Sequence, residues 1–246
     1  MDRFRFIFFL IMTLVLLFAS VPPPPALMAQ QHESLHEPSS RQHGAPAAVG
    51  QWDGSPKGVA YSEFNHHLAG VFVLLIGLSE LRGGLGVSML IRSRFLLPFA
   101  MLGAGGFLMI WSDHDAWPIG SQSFAQTFFS DDYETVQHKL YAILLLGVST
   151  VEFLRRMGRT GHMAWGMPLP VFALIGGVML FLHSHGTHPS AHKIAIHHAV
   201  MGTTAILAGL CKITAGTKPQ EGRSHWGIAW AALVLLIGIE LLVYTE

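Results

Sequence analysis

Apolar residues gather in six long runs, at about 61–81, 95–112, 134–154, 168–184, 191–211 and 226–244, joined by short polar connections. Each run is close to the ~20 residues that a helix needs to cross a bilayer. The pattern predicts an all-α, polytopic membrane protein, a six-helix transmembrane bundle built from three helical hairpins. The connections alternate in charge. One set carries Arg82, Arg92 and Arg94, then Arg155, Arg156 and Arg159, then Lys212, Lys218 and Arg223. The other carries Asp113, Asp115, Asp131 and Asp132, with Lys139 and Lys193 nearby. Basic loops stay on the cytoplasmic side, so the acidic connections face outward.

The stretch before the first run divides in two. Residues 1–29 predict a signal peptide, or an anchor if uncleaved: Arg3 and Arg5 precede an apolar segment from Phe6 to Ala19, and Pro22–Pro25 then end any helix. Residues 30–60 are rich in Pro, Gly, Ser and Gln and predict a disordered periplasmic segment. It contains His32, His36 and His43, read as a solvated tail. Residues 61–246 form the six-helix domain. Either fate of the leader puts residue 30 outside, which agrees with the loop charges. The expected location is a bacterial inner (plasma) membrane, with the lipid bilayer as the first partner.

Composition narrows the function. The 246 residues are 51% hydrophobic and 12% charged, about half the charge of a typical soluble domain, and the mean hydropathy is +0.44. A net charge of zero lacks the basic face of a nucleic-acid binder. The single cysteine, Cys211, excludes a thiolate cluster. No Walker loop, GxGxxG, GxSxG or HExxH motif occurs, so no catalytic residue is assigned.

Histidines carry the chemistry. His66, His67, His114, His138, His183, His185, His188, His192, His197 and His198 all lie at or beside the outward helix ends. Titratable groups are costly in a membrane and mark functional sites, and imidazole is the commonest metal ligand. The first helices of the hairpins align so that His67, His138 and His198 coincide, with His66 and His197 over Gln137. Overlaying Gly105-Gly106 on Gly176-Gly177 in the second helices puts His114 on His185, and Glu240 is the nearest polar substitute in the third hairpin. At 1.5 Å per residue these five aligned histidines fall in one outer layer of the membrane. Glu63 and Glu134 precede His67 and His138 by one helical turn, which lets each ligate alongside or orient its imidazole. The candidate metal ligands are therefore His66, His67, His114, His138, His183, His185, His197, His198, Glu63 and Glu134. Met179 and Met201 are read as packing, and Glu80 and Glu152 as local ion-pair partners of Arg82 and Arg155.

Imidazole suits Cu, Zn, Fe and Ni. Copper is the first expectation, given the exported location, the His-rich tail and the nearby methionines. In its six-helix body, export signal and outward His66, His67, His114 and His138, the chain resembles bacterial inner-membrane copper-resistance or copper-uptake proteins of the copper resistance protein D type. That resemblance implies ligands that receive copper from a periplasmic metal carrier. The alternative is a b-type cytochrome. Pairs among His67, His138, His185 and His198 would clamp haem b, with Lys139 or Lys193 near its propionates, and the partner would be an electron-transfer protein. In helix count this resembles six-helix cytochrome b561 proteins. A third reading is a di-metal enzyme, from the Glu63-x-x-His66 element, and a fourth is a purely structural subunit.

Overall fold

The computed structural model describes residues 54–85, 93–183, 188–216 and 224–246. The leader, the histidines at 32, 36 and 43, most of the 30–60 segment and His185 lie outside them. Among the described residues the chain is all-helical. Its α-helices are α1 (Pro56–Gly84), α2 (Leu96–Trp111), α3 (Phe124–Phe128), α4 (Tyr133–Arg156), α5 (Pro168–Leu182), α6 (Ala191–Gly216) and α7 (His225–Leu242). All six predicted runs appear as helices. The α1 helix opens ahead of the predicted 61, because the Ser55 hydroxyl caps Gly58 N at 3.0 Å and Pro56 takes the first turn. The Asp132 carboxylate starts α4 by accepting from Thr135 N at 3.2 Å, and Arg155 and Arg156 close it, as the helix dipole favours. The short α3 in the 113–132 connection has no counterpart in the predicted runs.

Among the described residues four segments are long and apolar enough to cross a membrane: Pro56–Gly84, Met163–Leu182, Ala191–Gly216 and His225–Leu242. The α2 helix is shorter, and α4 carries Glu134, Lys139 and Glu152 along its length. Large apolar side chains point away from the core on every long helix, among them Phe99, Ile143, Val178, Val200, Leu207 and Ile239. Such a surface suits lipid better than water.

The helices form a closed ring in the order α1, α2, α4, α5, α6, α7 and back to α1. The closest packing joins each hairpin's second helix to the next hairpin's first: α2 to α4, α5 to α6, α7 to α1. Glycines line the seams, and one of them is matched in all three. A Cβ on Gly105 would meet Leu146, one on Gly177 would meet Ile206 and Gly202, and one on Gly238 would meet Leu74, all at 3.0 Å or less. These three contacts are equivalent and fix the repeat register. Counting back eight residues from Leu74, Leu146 and Ile206 gives His66, His138 and His198; counting forward six gives Glu80, Glu152 and Lys212. The register therefore differs by one residue from the sequence alignment, with His66 in the place expected for His67. In the second helices Gly177, not Gly176, matches Gly105, so Asp113 is equivalent to position 185 and to Glu246. Glu246 thus replaces Glu240 as the polar counterpart in the third hairpin.

The middle of the ring is filled by Leu97, Met101, Leu145, Val148, Leu169, Ala208, Trp230 and Val234. At the basic end, Glu80 accepts from Arg156 Nη2 at 2.9 Å, from Trp230 Nε1 at 2.9 Å and from Lys212. Glu152 pairs with Arg155 at 3.2 Å and Arg156 at 3.4 Å. The Glu152 pairing is local, as expected. Glu80 instead finds its partners on α4 and α6, because its side chain points into the ring.

The seam contacts predict opposite signs for two alanines. Gly177→Ala would push a Cβ to 2.7 Å from Gly202 O, so it should destabilise by about 1–3 kcal/mol. Gly106→Ala meets nothing within 4 Å and should stabilise α2 by up to ~1 kcal/mol. Thermal unfolding in detergent measures both. Equal shifts would mean that the seam does not set the helix spacing.

Candidate metal centre

Four imidazoles and one phenol meet inside the ring at the histidine end. His138 and His183 have ring centroids 5.1 Å apart, His183 and His198 4.9 Å, and His198 and His66 6.4 Å. Tyr244 stacks on His66 at 3.9 Å and meets His197 edge-on at 5.4 Å. His66, His138 and His198 come from the three equivalent first helices. His183 and Tyr244 occupy equivalent places just after α5 and α7. His198 is 2% exposed and Tyr244 is fully buried.

Among the described residues one group has the spacing for an ion. Ligand atoms of Glu134, His138 and His183 all lie within 4.8 Å of one another, and Glu134 Oε1 is 3.9 Å from His183 Nε2. Both imidazoles are oriented from behind. His138 Nδ1–H donates to Asp113 Oδ1 at 2.7 Å, and His183 Nδ1–H donates to Gln137 Oε1 at 2.9 Å. A carboxylate or amide oxygen accepts, so each bond takes the proton on Nδ1 of its imidazole.

Asp113 is held in turn by Lys139, whose fully buried ammonium donates to Oδ2 at 3.0 Å and to Met109 O at 3.0 Å. Burial pushes the Asp113 carboxyl upward, but the neighbouring His138 and Lys139 outweigh it and hold it below the usual aspartate range. Lys139 is thus engaged as Asp113's counter-ion.

The remaining candidates are placed as follows. His67 turns away from the other rings, and its Nε2–H donates to Tyr244 O at 3.0 Å. Glu63 does not face His67. Its Oε1 accepts from Glu246 N at 3.1 Å. His114 is half-exposed, with Nδ1 3.0 Å from Asp115 and its ring edge-on to Tyr61. His197 lies against Tyr244. His188, at the α5–α6 connection, is buried, with Nε2 3.3 Å from Glu246 Oε2, and that carboxylate also accepts from Ser62 and from Tyr244 OH.

The site residues that the sequence reading did not assign are Asp113, Gln137, Tyr244 and Glu246. Gln137 alone carried a signal, since it aligned with histidine in the other hairpins. The equivalents of Glu134 are Ser62 and Ile194, so one hairpin of three retains the carboxylate. No family model matches this chain, and no curated protein or solved structure is similar to it.

Asp113 supplies a pH test. Its folded pKa is depressed, so its contribution to stability is fully present above the ordinary aspartate value of about 3.9 and is lost as pH falls through the lower folded value. Asp113→Asn should remove that part of the acid dependence and should be less stable than wild type at neutral pH. Melting temperatures between neutral and strongly acidic pH check this. Parallel curves would show that Asp113 has no special ionic role.

Proposed function

We propose that this chain is an integral membrane protein that holds one divalent transition-metal ion at its outward face, through Glu134, His138 and His183. The observation that carries the reading is the spacing of Glu134, His138 and His183, whose ligand atoms lie within 4.8 Å of one another, with Asp113 and Gln137 bonded to the two imidazoles. Partly buried histidines oriented in this way are costly in a membrane unless they serve a ligand. The reading takes all six long helices as spans. It puts the Arg82, Arg94, Arg155, Arg156 and Lys212 end in the cytoplasm by the positive-inside rule, and the imidazoles near the periplasm of a bacterial inner membrane.

A donor set of two imidazoles and a carboxylate favours Cu2+ or Zn2+ over Cu+, which prefers sulfur. The affinity order of divalent ions puts Cu2+ first. Copper also fits the resemblance to copper resistance protein D-type proteins, whose copper would come from a periplasmic carrier. An apolar core and the Glu80 ionic cluster close the other end of the ring. Binding and hand-off on one face therefore suit the molecule better than conduction across it. Haem suits it less. Axial ligation directs two imidazoles at the iron from opposite sides of a porphyrin, whereas His183 packs directly against His138 and His198, with ring centroids 5.1 and 4.9 Å apart.

The test is metal titration of the detergent-purified protein with Cu2+ and with Zn2+, followed by elemental analysis. One ion per chain is expected. Glu134→Gln, His138→Ala and His183→Ala should each weaken binding more than about 10-fold, and Asp113→Ala by about 10–100-fold through the lost orientation. His67→Ala and His114→Ala should leave it nearly unchanged. No uptake by wild type, or equal losses in all six variants, would sink the proposal.

A further inference from the structure

We infer that the 113–132 connection is an interfacial anchor, whose Trp117, Ile119, Phe124 and Phe129 sit in the headgroup layer of the outer leaflet. The inference rests on the reading of the long helices as spans and is independent of any metal. The connection is folded tightly on itself. Gly120 N donates to Ala116 O at 2.8 Å, Gln122 N to Asp115 O at 2.9 Å, and Trp117 N to Thr127 Oγ1 at 2.9 Å. Ala116 and Thr127 are the buried pins, at 1% and 0% exposure, and a Ser123–Gln126 capping box starts α3. Its largest apolar side chains nevertheless stay outside: Trp117 is 38% exposed, Ile119 57%, Phe124 51% and Phe129 81%. Phe124 meets Trp117 edge-on at 5.5 Å and stacks on Phe128 at 4.6 Å, so the aromatic rings form a row. An ordered backbone that turns such a row outward is costly in water and marks an interaction surface.

Three observations select lipid as the occupant. The first is reach. The connection starts and ends at neighbouring helix ends, and α3 packs back on α4, so the patch stays beside the span. The headgroup layer there is only about 5–7 Å deep on each side. The second is continuity. The α2 helix leads into the connection with Phe99, Leu102 and Trp111 exposed on its own surface, which is the lipid-facing belt already described. The third is chemistry. Trp and other aromatic residues favour the membrane–water boundary, and short apolar segments can lie within it. No Lys or Arg occurs from Ser112 to Asp132, so the attraction is apolar and not to lipid phosphate.

Both ends of the anchor reach the candidate metal centre. Asp113 opens the connection and accepts from His138 at 2.7 Å. Asp132 closes it and caps α4 through Thr135 N at 3.2 Å, beside Glu134. The depth of the aromatic row is thereby passed to the site, which is held at the membrane surface, within reach of an ion arriving from water.

Spin labels measure this in the full chain with Cys211→Ala, reconstituted in vesicles of phosphatidylethanolamine and phosphatidylglycerol. Labels are attached singly at Ile119→Cys, Phe129→Cys, Asp131→Cys and Leu207→Cys. Oxygen, which collects in lipid, should relax the labels at 119 and 129 several-fold faster than a water-soluble nickel complex does. The reverse is expected at 131, and the deepest position at 207. Labels at 119 and 129 that behave like 131 would overturn the inference and make the patch a surface for a protein partner. A depth equal to that of 207 would overturn the headgroup placement. A water-exposed label at 207 would overturn the spanning helices themselves. Tryptophan fluorescence gives a second measurement without a label. Lipids brominated near the headgroup should quench a smaller fraction of the emission in Trp117→Phe than in wild type, and an equal or larger fraction would count against the anchor.

Discussion

Close backbone approach at three equivalent seams governs the rest of the molecule. Lipid gives helices no hydrophobic reason to associate, so packing at small residues has to do it. Gly105, Gly177 and Gly238 let α2, α5 and α7 come close to Leu146, Ile206 and Leu74 of the following first helices. Each seam sets the axial offset between two hairpins. The rise is 1.5 Å per residue, so one shared offset carries His66, His138 and His198 to a common height at one end. It carries Glu80, Glu152 and Lys212 to a common height at the other.

The two polar ends are then resolved differently. At the basic end carboxylates and cations meet directly, and Glu80 is bonded by groups from α4, α6 and α7. At the histidine end the carboxylates are partly committed elsewhere. Asp113 is taken by Lys139 and His138, and Glu246 by His188, Ser62 and Tyr244. There carboxylates face imidazoles, His138 on Asp113, His183 near Glu134 and His188 on Glu246. Breaking of the threefold pattern concentrates the chemistry. Glu134 has Ser62 and Ile194 as its equivalents, and His183 has Trp111 and Tyr244, so among the described residues a full donor set survives only around α4 and the end of α5.

Much of the architecture was legible from periodicity and charge. The six apolar runs became six helices, and the histidines gathered at one end because each first helix carries them near its start. The aligned candidates fared unevenly. His138 and His198 each stand beside His183, His114 is half-exposed, His185 lies outside the described residues, and His67 exchanges places with His66. Asp113 and Gln137 went unassigned because their partners are 25 and 46 residues away in the chain. Nothing local distinguishes an aspartate that orients a histidine from one that solvates a helix end. Tyr244 went unassigned for the same reason, and it is wholly buried against His66.

The sequence by itself determined which segments are helical, which ends are basic and which are rich in histidine, since these follow from the composition of each run. Tertiary packing decided which histidine of each pair faces its neighbours. A slip of one residue moves a side chain 1.5 Å along the axis and about 100° around it, which is enough to exchange a ring in the cluster for one bonded to a carbonyl. No run of residues read alone contains that rotation, because it is fixed by how closely another helix can approach.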